Sequence, residues 1–168
     1  MAVAVGSNLG PREDHLAFAR GRLNDLFENL RVSTARETAP ENVPGPQPRF
    51  LNAAAIGETT RPAHEVLAAL LAIEQERERL RPFPNAPRTL DLDLILYGDC
   101  TIADDRLVVP HPRFRERRFV LEPLAEIAPD LKDPLTGKTM ATLWAELRHA
   151  LQTSSKAEVL ANEASFRL

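Results

Sequence analysis

The chain has 168 residues, of which 43% are hydrophobic and 27% charged, and its formal net charge at pH 7 is −3. These values predict one soluble globular domain and argue against broad electrostatic binding to nucleic acid or anionic membranes. The single cysteine, Cys100, excludes an internal disulfide, and the chain contains neither a signal-peptide pattern nor an apolar run of about 18 residues. We therefore expect a cytoplasmic protein.

The first hundred residues alternate between strand and helix patterns. The predicted elements, in chain order, are strand 2–5, helix 11–30, strand 31–38, a proline-rich loop 39–49, strand 50–58, a helix opened by Arg61-Pro62 and stopped by Pro82, and strand 90–97. The order βαββαβ predicts an α+β fold of the ferredoxin-like type, an antiparallel sheet with helices on one face.

The remaining residues add a predicted hairpin at 101–109 and helices near 115–127 and 139–150. We predict one domain over residues 1–150 and a tail over 151–168, either a loose helix or disordered. The turn GSNLG at 6–10 lies between the first strand and the first helix. It is either a plain tight turn or a helix cap made by Ser7 or Asn8.

The stretch PRTLDLDLILYG, residues 87–98, combines strand alternation with two aspartates. One predicted face carries Leu90, Leu92, Leu94 and Leu96. The other predicted face carries Asp91, Asp93, Ile95 and Tyr97. Two carboxylates ~6–7 Å apart on an apolar strand need a positive group between them. The simpler interpretation is a turn cap or an ion pair with arginine; the sharper one is a site for two Mg²⁺ ions that also bind phosphate.

Two clusters of basic residues flank this strand and favour phosphate chemistry. We expect Arg77 to be a solvated residue of the second helix. The residues Arg79, Arg81 and Arg88 border the loop that opens onto the Asp-x-Asp strand. The later stretch PHPRFRERRF contains His111, Arg113, Arg115, Arg117 and Arg118, of which at most two arginines can face one ligand.

The strand at 50–58 predicts that Phe50 and Asn52 share a face. Phe50 could stack on a heterocycle, and the amide of Asn52 could hydrogen-bond to the edge of that heterocycle. From spacing alone, it is equally plausible that Phe50 is a core residue and Asn52 a turn residue without a ligand. The segment TGKT at 136–139 matches the last residues of a Walker phosphate-binding motif. Lys132 occupies the position where the motif requires its first glycine, so the segment is not such a motif.

Four segments together resemble the 6-hydroxymethyl-7,8-dihydropterin pyrophosphokinase family over residues 3–148. They are GSNLG, FLNAA, PNAPRTLDLDLILYG and RLVVPHPRFRERRFVLEPLAEIAP. The resemblance implies a ferredoxin-like monomer that transfers pyrophosphate from ATP to the hydroxymethyl group of a pterin and releases AMP, a step of folate biosynthesis. It also implies two Mg²⁺ ions, and ATP and the pterin as small-molecule partners, with no nucleic acid or membrane.

The resemblance also implies a role for individual residues. The implied metal ligands are Asp91 and Asp93, of which Asp91 also borders the pterin. The implied catalytic residues are Arg79 and Arg88. The implied ATP contacts are Glu74, Arg81, His111 and Arg117. The implied pterin contacts are Thr38, Phe50, Asn52 and Phe119. Many family members have tyrosine at the positions of Phe50 and Pro112 and a Trp-Gly-Pro-Arg run where this chain has Asn85-Ala86-Pro87-Arg88.

Two other functions stay open at this point. A nucleotidyltransferase also pairs a Gly-Ser turn with an Asp-x-Asp strand and two metal ions, but it releases pyrophosphate instead of AMP. A non-catalytic ferredoxin-like domain can sense a ligand or bind RNA on its sheet. An RNA-binding sheet needs exposed aromatic residues and a basic balance, whereas this chain has 5% aromatic residues and a net negative charge.

Overall fold

A computed structural model describes residues 1–41, 45–77 and 86–165, with side chains up to residue 154. Within these residues the elements are β1 (Ala2–Ser7), α1 (Arg12–Leu26), β2 (Glu28–Val32), β3 (Arg36–Thr38), β4 (Phe50–Glu58), α2 (Ala63–Gln75), β5 (Asp91–Leu96), β6 (Ile102–Ala103), β7 (Val108–Val109), α3 (Arg118–Ile127) and α4 (Met140–Ser165). One 3₁₀ turn, Phe114–Glu116, precedes α3.

The main sheet is antiparallel and has the strand order β2-β4-β1-β5, with β3 also paired to β4. This order is that of the ferredoxin-like fold, so the predicted fold class is confirmed. Helices α1 and α2 cover one face, which we call the first face, because alternate strand residues point toward them. The buried core on this face includes Val3, Val5, Leu92, Leu94, Leu23 and Leu70.

The opposite face, which we call the second face, is covered at one end by the C-terminal helices. Ala4, Ala54 and Ile95 pack there against Leu121 of α3 and Met140 of α4. The sequence predicted these helices without assigning them to a face. Because they cover one end only, the end of the second face around Gly6 carries polar side chains instead of core.

The first helix ends earlier than predicted. α1 stops at Leu26, because Phe27 takes an extended conformation and buries its ring in the first-face core. Asn29 then adopts a positive φ of 52°, which asparagine tolerates better than most residues, and the pairing of β2 with β4 shifts there. The residues after 27, predicted as the last helical turn, therefore belong to β2.

The predicted strand 31–38 is two strands, β2 and β3. Between them, Ser33 N–H donates to Ala54 O at 2.9 Å, and Ser33 Oγ accepts a hydrogen bond from Ala54 N–H at 2.9 Å. The serine hydroxyl thus replaces a backbone partner where the chain leaves the ladder. α2 is also shorter than predicted, since it ends at Gln75, well before Pro82.

The leucine alternation of β5 is interrupted by a bulge. Leu94 pairs with Val3, but Leu96 pairs with Ala2, so one extra residue is inserted in β5. Leu96 consequently joins Ile95 in the second-face core, and Tyr97 packs against the first-face core. The predicted faces of Leu96 and Tyr97 are therefore wrong, whereas the alternation holds through the two aspartates.

The hairpin β6–β7 and the helices α3 and α4 lie close to their predicted positions. α4 is longer than predicted, since it runs from Met140 to Ser165 and crosses the domain boundary expected at residue 150. Of the helices that the structure describes, none combines the length and the apolar character needed to cross a membrane.

Candidate active site

Three neighbouring strands bring a polar row together on the second face. Gly6 of β1 is paired with Asn52 of β4 on one side and with Asp91 of β5 on the other. A Cβ atom added to Gly6 would lie 2.8 Å from Asn52 Oδ1. The missing side chain therefore leaves room for the Asn52 amide to lie against the backbone of Gly6.

Each aspartate of β5 lies beside an arginine. Arg88 Nη1 contacts Asp91 Oδ2 at 2.7 Å, and Arg117 Nη1 approaches Asp93 Oδ2 to 3.7 Å. The sequence predicted positive charge near the two carboxylates. In the structure each carboxylate has one guanidinium beside it. Among the described residues, the buried Arg88 Nε has no hydrogen-bond acceptor. Its N–H can donate to a further anionic oxygen.

His111 is held at the edge of β5 as a neutral ring. Its backbone N–H donates to Ile95 O at 2.9 Å. Burial, reinforced by the charges of Arg117 and Arg113, lowers the pKa of His111 to about 4, although Asp91 opposes the shift. Its Nδ1 accepts a hydrogen bond from Arg113 N–H at 3.2 Å. The neutral ring therefore carries its proton on Nε2, which can donate to a phosphate oxygen.

Two of the four clustered arginines are engaged away from the aspartates of β5. Arg115 makes two hydrogen bonds to the buried carboxylate of Asp133, at 2.8 and 2.7 Å. Arg118 pairs with Glu122 one helical turn away at 3.0 Å. Arg117, by contrast, points back along the second face toward Asp93. That at most two of these arginines face one ligand stays a prediction.

Aromatic and amide groups border the same region. The Arg88 guanidinium lies 5.8 Å from the centre of the Phe50 ring, and the Arg117 guanidinium lies 5.5 Å from that of Phe119. Asn52, which is buried, donates from Nδ2 to Thr38 Oγ1 at 2.7 Å. The structure thus brings the four predicted pterin contacts to one end of the second face.

The predicted ATP contact Glu74 stands apart from this group. Glu74 of α2 is buried beneath the sheet, and its Oε1 accepts a hydrogen bond from Leu92 N–H at 2.7 Å. β5 is an edge strand, so this carboxylate binds a backbone group of the strand that carries the aspartates. Arg79 and Arg81 lie outside the described residues.

Arg77 differs from its predicted environment. It follows the end of α2 in a turn, and its guanidinium stacks 3.9 Å from the centre of the Phe18 ring of α1. Its carbonyl accepts a hydrogen bond from Thr89 Oγ1 at 2.6 Å. Arg77 therefore contacts both α1 and the chain leading into β5 and is not simply a solvated helix residue.

Sequence reasoning missed the role of Asn8. In the described part of the chain, neither Ser7 nor Asn8 caps α1, and Pro11 occupies the N-cap position. The Asn8 side chain instead contacts the loop before β4 and the backbone of Arg88. An asparagine in a strand-to-helix turn signals a side chain that binds backbone groups, but its partners here are far away in sequence.

The fold and this grouping define an α+β protein of ferredoxin-like architecture with arginines and carboxylates gathered at one end of one sheet face. The model of the family described as 7,8-dihydro-6-hydroxymethylpterin-pyrophosphokinase (HPPK) matches residues 2–129. The chain belongs to this family.

Curated relatives agree with the family match. A 2-amino-4-hydroxy-6-hydroxymethyldihydropteridine pyrophosphokinase of Synechocystis is 43% identical over 142 residues, covering 84% of this chain and 72% of that protein. The protein of the same description from Pseudomonas aeruginosa is 40% identical over 137 residues, covering 79% and 82%. A mitochondrial folate synthesis bifunctional protein of Arabidopsis thaliana is 39% identical over 138 residues, covering 76% of this chain but only 23% of that protein.

A solved structure supports the architecture. The crystal structure of an HPPK-DHPS in complex with substrates superposes with a TM-score of 0.69, covering 90% of this chain and 44% of that chain. At 12% identity, this likeness concerns the fold alone.

Proposed function

We propose that this chain transfers the pyrophosphoryl group of ATP to the hydroxymethyl group of 6-hydroxymethyl-7,8-dihydropterin, giving the pterin pyrophosphate and AMP in folate biosynthesis. One observation carries the proposal: the two aspartates of β5, each beside an arginine, lie on one side of the β1 strand at Gly6, and the amide of Asn52 lies on the other side. This arrangement offers charges for a polyphosphate on one side and a hydrogen-bonding amide for a heterocycle on the other.

The donor set at β5 fits magnesium. Asp91 and Asp93 are the candidate ligands, and among the described residues no group of three or more histidine, cysteine, aspartate or glutamate side chains could hold a metal ion. Mg²⁺ suits such an incomplete set, because it is usually held by one or two carboxylates together with waters and substrate phosphates. Two Mg²⁺ ions bound there would supply Lewis-acid neutralisation of the charge on the polyphosphate.

The arginines and histidine provide the remaining contacts to ATP in this proposal. Arg88, with a buried N–H that lacks an acceptor among the described residues, binds the transferred group. Arg117 and the Nε2–H of His111 bind phosphate oxygens. Because His111 is neutral, it donates a hydrogen bond without adding charge. The resemblance adds Arg79, Arg81 and Glu74 to this side of the site.

The pterin lies, in this proposal, over Gly6 and against the row of Thr38, Asn52 and the two phenylalanines. Asn52 hydrogen-bonds the heterocycle edge, and Phe119 stacks on its ring. The hydroxyl oxygen attacks the β-phosphorus of ATP, and the bond from that phosphorus to the α,β-bridging oxygen breaks. AMP leaves with that oxygen, and the hydroxyl proton is released. We further propose a cytoplasmic location, since the exposed Cys100 thiol suits a reducing compartment. That the protein is a monomer is proposed from the resemblance to the family.

Phosphorus NMR of the protein with ATP, Mg²⁺ and 6-hydroxymethyl-7,8-dihydropterin tests the proposal. AMP appearing together with a pterin pyrophosphate ester supports it. Free pyrophosphate with an adenylylated product means nucleotidyl transfer, and binding without turnover means a ligand sensor. Either of these two results overturns the proposal.

A further inference from the structure

The end of α2 and the turn after it lie beside β5, the strand that carries both candidate metal ligands. In this turn Arg77 N–H donates to Glu74 O at 3.1 Å. The turn also contacts α1, because the Arg77 guanidinium stacks 3.9 Å from the centre of the Phe18 ring. Among the described strands of the main sheet, β5 pairs only with β1. The turn can therefore hold β5 from the edge that β1 leaves unpaired.

Glu74 makes the first contact with this edge. Its Oε1 accepts a hydrogen bond from Leu92 N–H at 2.7 Å, and the residue is 2% exposed. Leu92 lies between Asp91 and Asp93 in the strand. This bond is costly to lose, because the buried backbone N–H would stay desolvated without an acceptor. Glu74 therefore fixes the strand at the residue between the two aspartates.

Thr89 makes the second contact with the turn. Its Oγ1–H donates to Arg77 O at 2.6 Å. Thr89 comes two residues before Asp91, and its neighbour Arg88 contacts Asp91 Oδ2 at 2.7 Å. The end of α2 and its turn thus hold the chain at residues 89 and 92, on both sides of Asp91.

These two contacts complement the pairing of β5 with β1. Gly6 and Ala4 of β1 pair with Asp91 and Asp93, which fixes the opposite edge of the strand. The side chain of Leu92 lies in the first-face core, so the two aspartates project from the second face. The backbone that carries both carboxylates is therefore held from two sides. Groups that orient metal ligands in this way contribute strongly to metal affinity.

We propose that Glu74 and Thr89 are positioning residues, which hold the backbone of β5 so that Asp91 and Asp93 bind metal ions together. The proposal rests on the proposed function, because it presumes a metal site at these aspartates. It gives Glu74 a role that acts through Leu92 N–H and needs no contact with the nucleotide.

The affinity for Mn²⁺, which like Mg²⁺ prefers oxygen ligands, tests the proposal. Free Mn²⁺ is measured by electron paramagnetic resonance in the presence of an ATP analogue that has carbon between its α- and β-phosphates. A titration of the analogue without protein is subtracted. Thr89→Val removes the hydroxyl and keeps the shape of the side chain. We expect it to weaken Mn²⁺ binding about tenfold, the low end for loss of a group that orients metal ligands.

Conservative variants and a matched control sharpen the test. Thr89→Ser keeps the hydroxyl and should keep the wild-type affinity for Mn²⁺. Glu74→Gln keeps an oxygen acceptor for Leu92 N–H, so it should weaken Mn²⁺ binding less than Glu74→Met does. Thr153→Val removes a hydroxyl bond of the same kind on α4, from Thr153 Oγ1 to Ala150 O at 2.8 Å, and should leave the affinity unchanged.

The melting temperature of each variant separates positioning from a purely structural role. A lowered melting temperature with wild-type Mn²⁺ affinity below the transition means that the contacts only stabilise the fold, and it overturns the proposal. Thr89→Val, which is nearly isosteric, keeps the test available if Glu74→Met does not fold.

The outcomes also distinguish the positioning from the proposed function. If the wild-type protein binds Mn²⁺ and releases AMP, wild-type affinity in folded Thr89→Val and Glu74→Met overturns the positioning alone. If the wild-type protein binds no Mn²⁺ in the presence of the analogue, the proposed metal site fails and the positioning fails with it.

Discussion

Two arginine–aspartate pairs in this protein share their chemistry but differ in how completely they are satisfied. Arg115 binds both oxygens of Asp133, at 2.8 and 2.7 Å, and the same carboxylate accepts hydrogen bonds from Leu135 N–H and Thr136 Oγ1. Arg88 makes one 2.7 Å contact to Asp91, while among the described residues its buried Nε has no acceptor.

The difference indicates that Arg115–Asp133 is a structural pair and that Arg88–Asp91 is suited to binding a ligand. Burial alone would raise the pKa of Asp133, but the hydrogen bonds from Arg115, Thr136 and Leu135 and the charge of Arg115 lower it overall. The carboxylate of Asp133 accepts two hydrogen bonds from Arg115 and two from the loop before α4. Arg88 keeps a buried Nε–H that has no acceptor among the described residues, which suits it to a further anionic oxygen.

The aspartates of β5 should show the largest effect. Asp91→Asn and Asp93→Asn remove the charge proposed to hold magnesium, so we expect turnover to fall by about 10³-fold or more, as loss of several kcal/mol of charge stabilisation implies. Steady-state kinetics at saturating Mg²⁺ measures it, with the melting temperature as a check of folding. Near-normal turnover in either variant would remove these aspartates from the metal site.

Arg88→Ala should lower kcat by about 10²- to 10³-fold, the usual loss for a donor that stabilises transition-state charge, with a smaller effect on ATP affinity. ATP affinity is measured by equilibrium titration and kcat by AMP release. If affinity and kcat fall by equal factors, Arg88 contributes to ground-state binding instead.

Arg115→Ala should have the opposite profile. It leaves the carboxylate of Asp133 buried without its main partner, which we expect to cost about 3 kcal/mol, the low end for a broken buried pair because Arg115 is a quarter exposed. In a protein of this size that corresponds to a loss of about 6–12 °C in Tm. Below the melting transition kcat should stay close to wild type. A large kcat loss with an unchanged Tm would reverse the assignment of the two pairs.

Lowering the pH should reduce the contribution of the Arg115–Asp133 pair to the stability of the folded protein. Because the pKa of Asp133 is lowered in the folded protein, its contribution to stability is complete above the unfolded pKa of about 3.9 and is lost as pH falls through the folded pKa. The difference in urea midpoint between wild type and Asp133→Asn should therefore be constant near neutrality and shrink below about pH 4. A difference that shrinks between pH 7 and 5 would contradict this cause.

His111 should give the smallest effect. The pKa of His111 is about 4. The pH profile of kcat/KM for ATP should therefore contain no step near pH 6.5 that is due to His111, so wild type and His111→Ala should have profiles of the same shape in this range. The variant should raise the KM for ATP by about tenfold, the value of one hydrogen bond to a charged group. A wild-type step near pH 6.5 that His111→Ala abolishes would mean that the ring titrates in the free enzyme.

Local patterns in the sequence predicted much of the sheet and part of the site. Alternation in β5 correctly placed Asp91 and Asp93 together, and the element order predicted the ferredoxin-like sheet. The same alternation failed at Leu96, because the bulge depends on how β5 pairs with β1, which one strand's pattern does not encode.

The remaining features depend on partners distant in sequence. Arg115 is withdrawn from the site by Asp133, and Asn8 binds groups 39 to 80 residues away, so neither partnership is visible from spacing. The end of α1 depends on burial of the Phe27 ring, which overrides the helical spacing of the apolar residues.

The most direct test of the central claim counts metal ions by electron paramagnetic resonance of Mn²⁺, which, like Mg²⁺, prefers oxygen ligands. The protein is titrated with Mn²⁺ in the presence of the ATP analogue, and free Mn²⁺ is read from its signal. The account predicts two protein-dependent ions for the wild type and for Asp133→Asn, and fewer for Asp91→Asn and Asp93→Asn. Equal binding by all four proteins would contradict a metal site at β5.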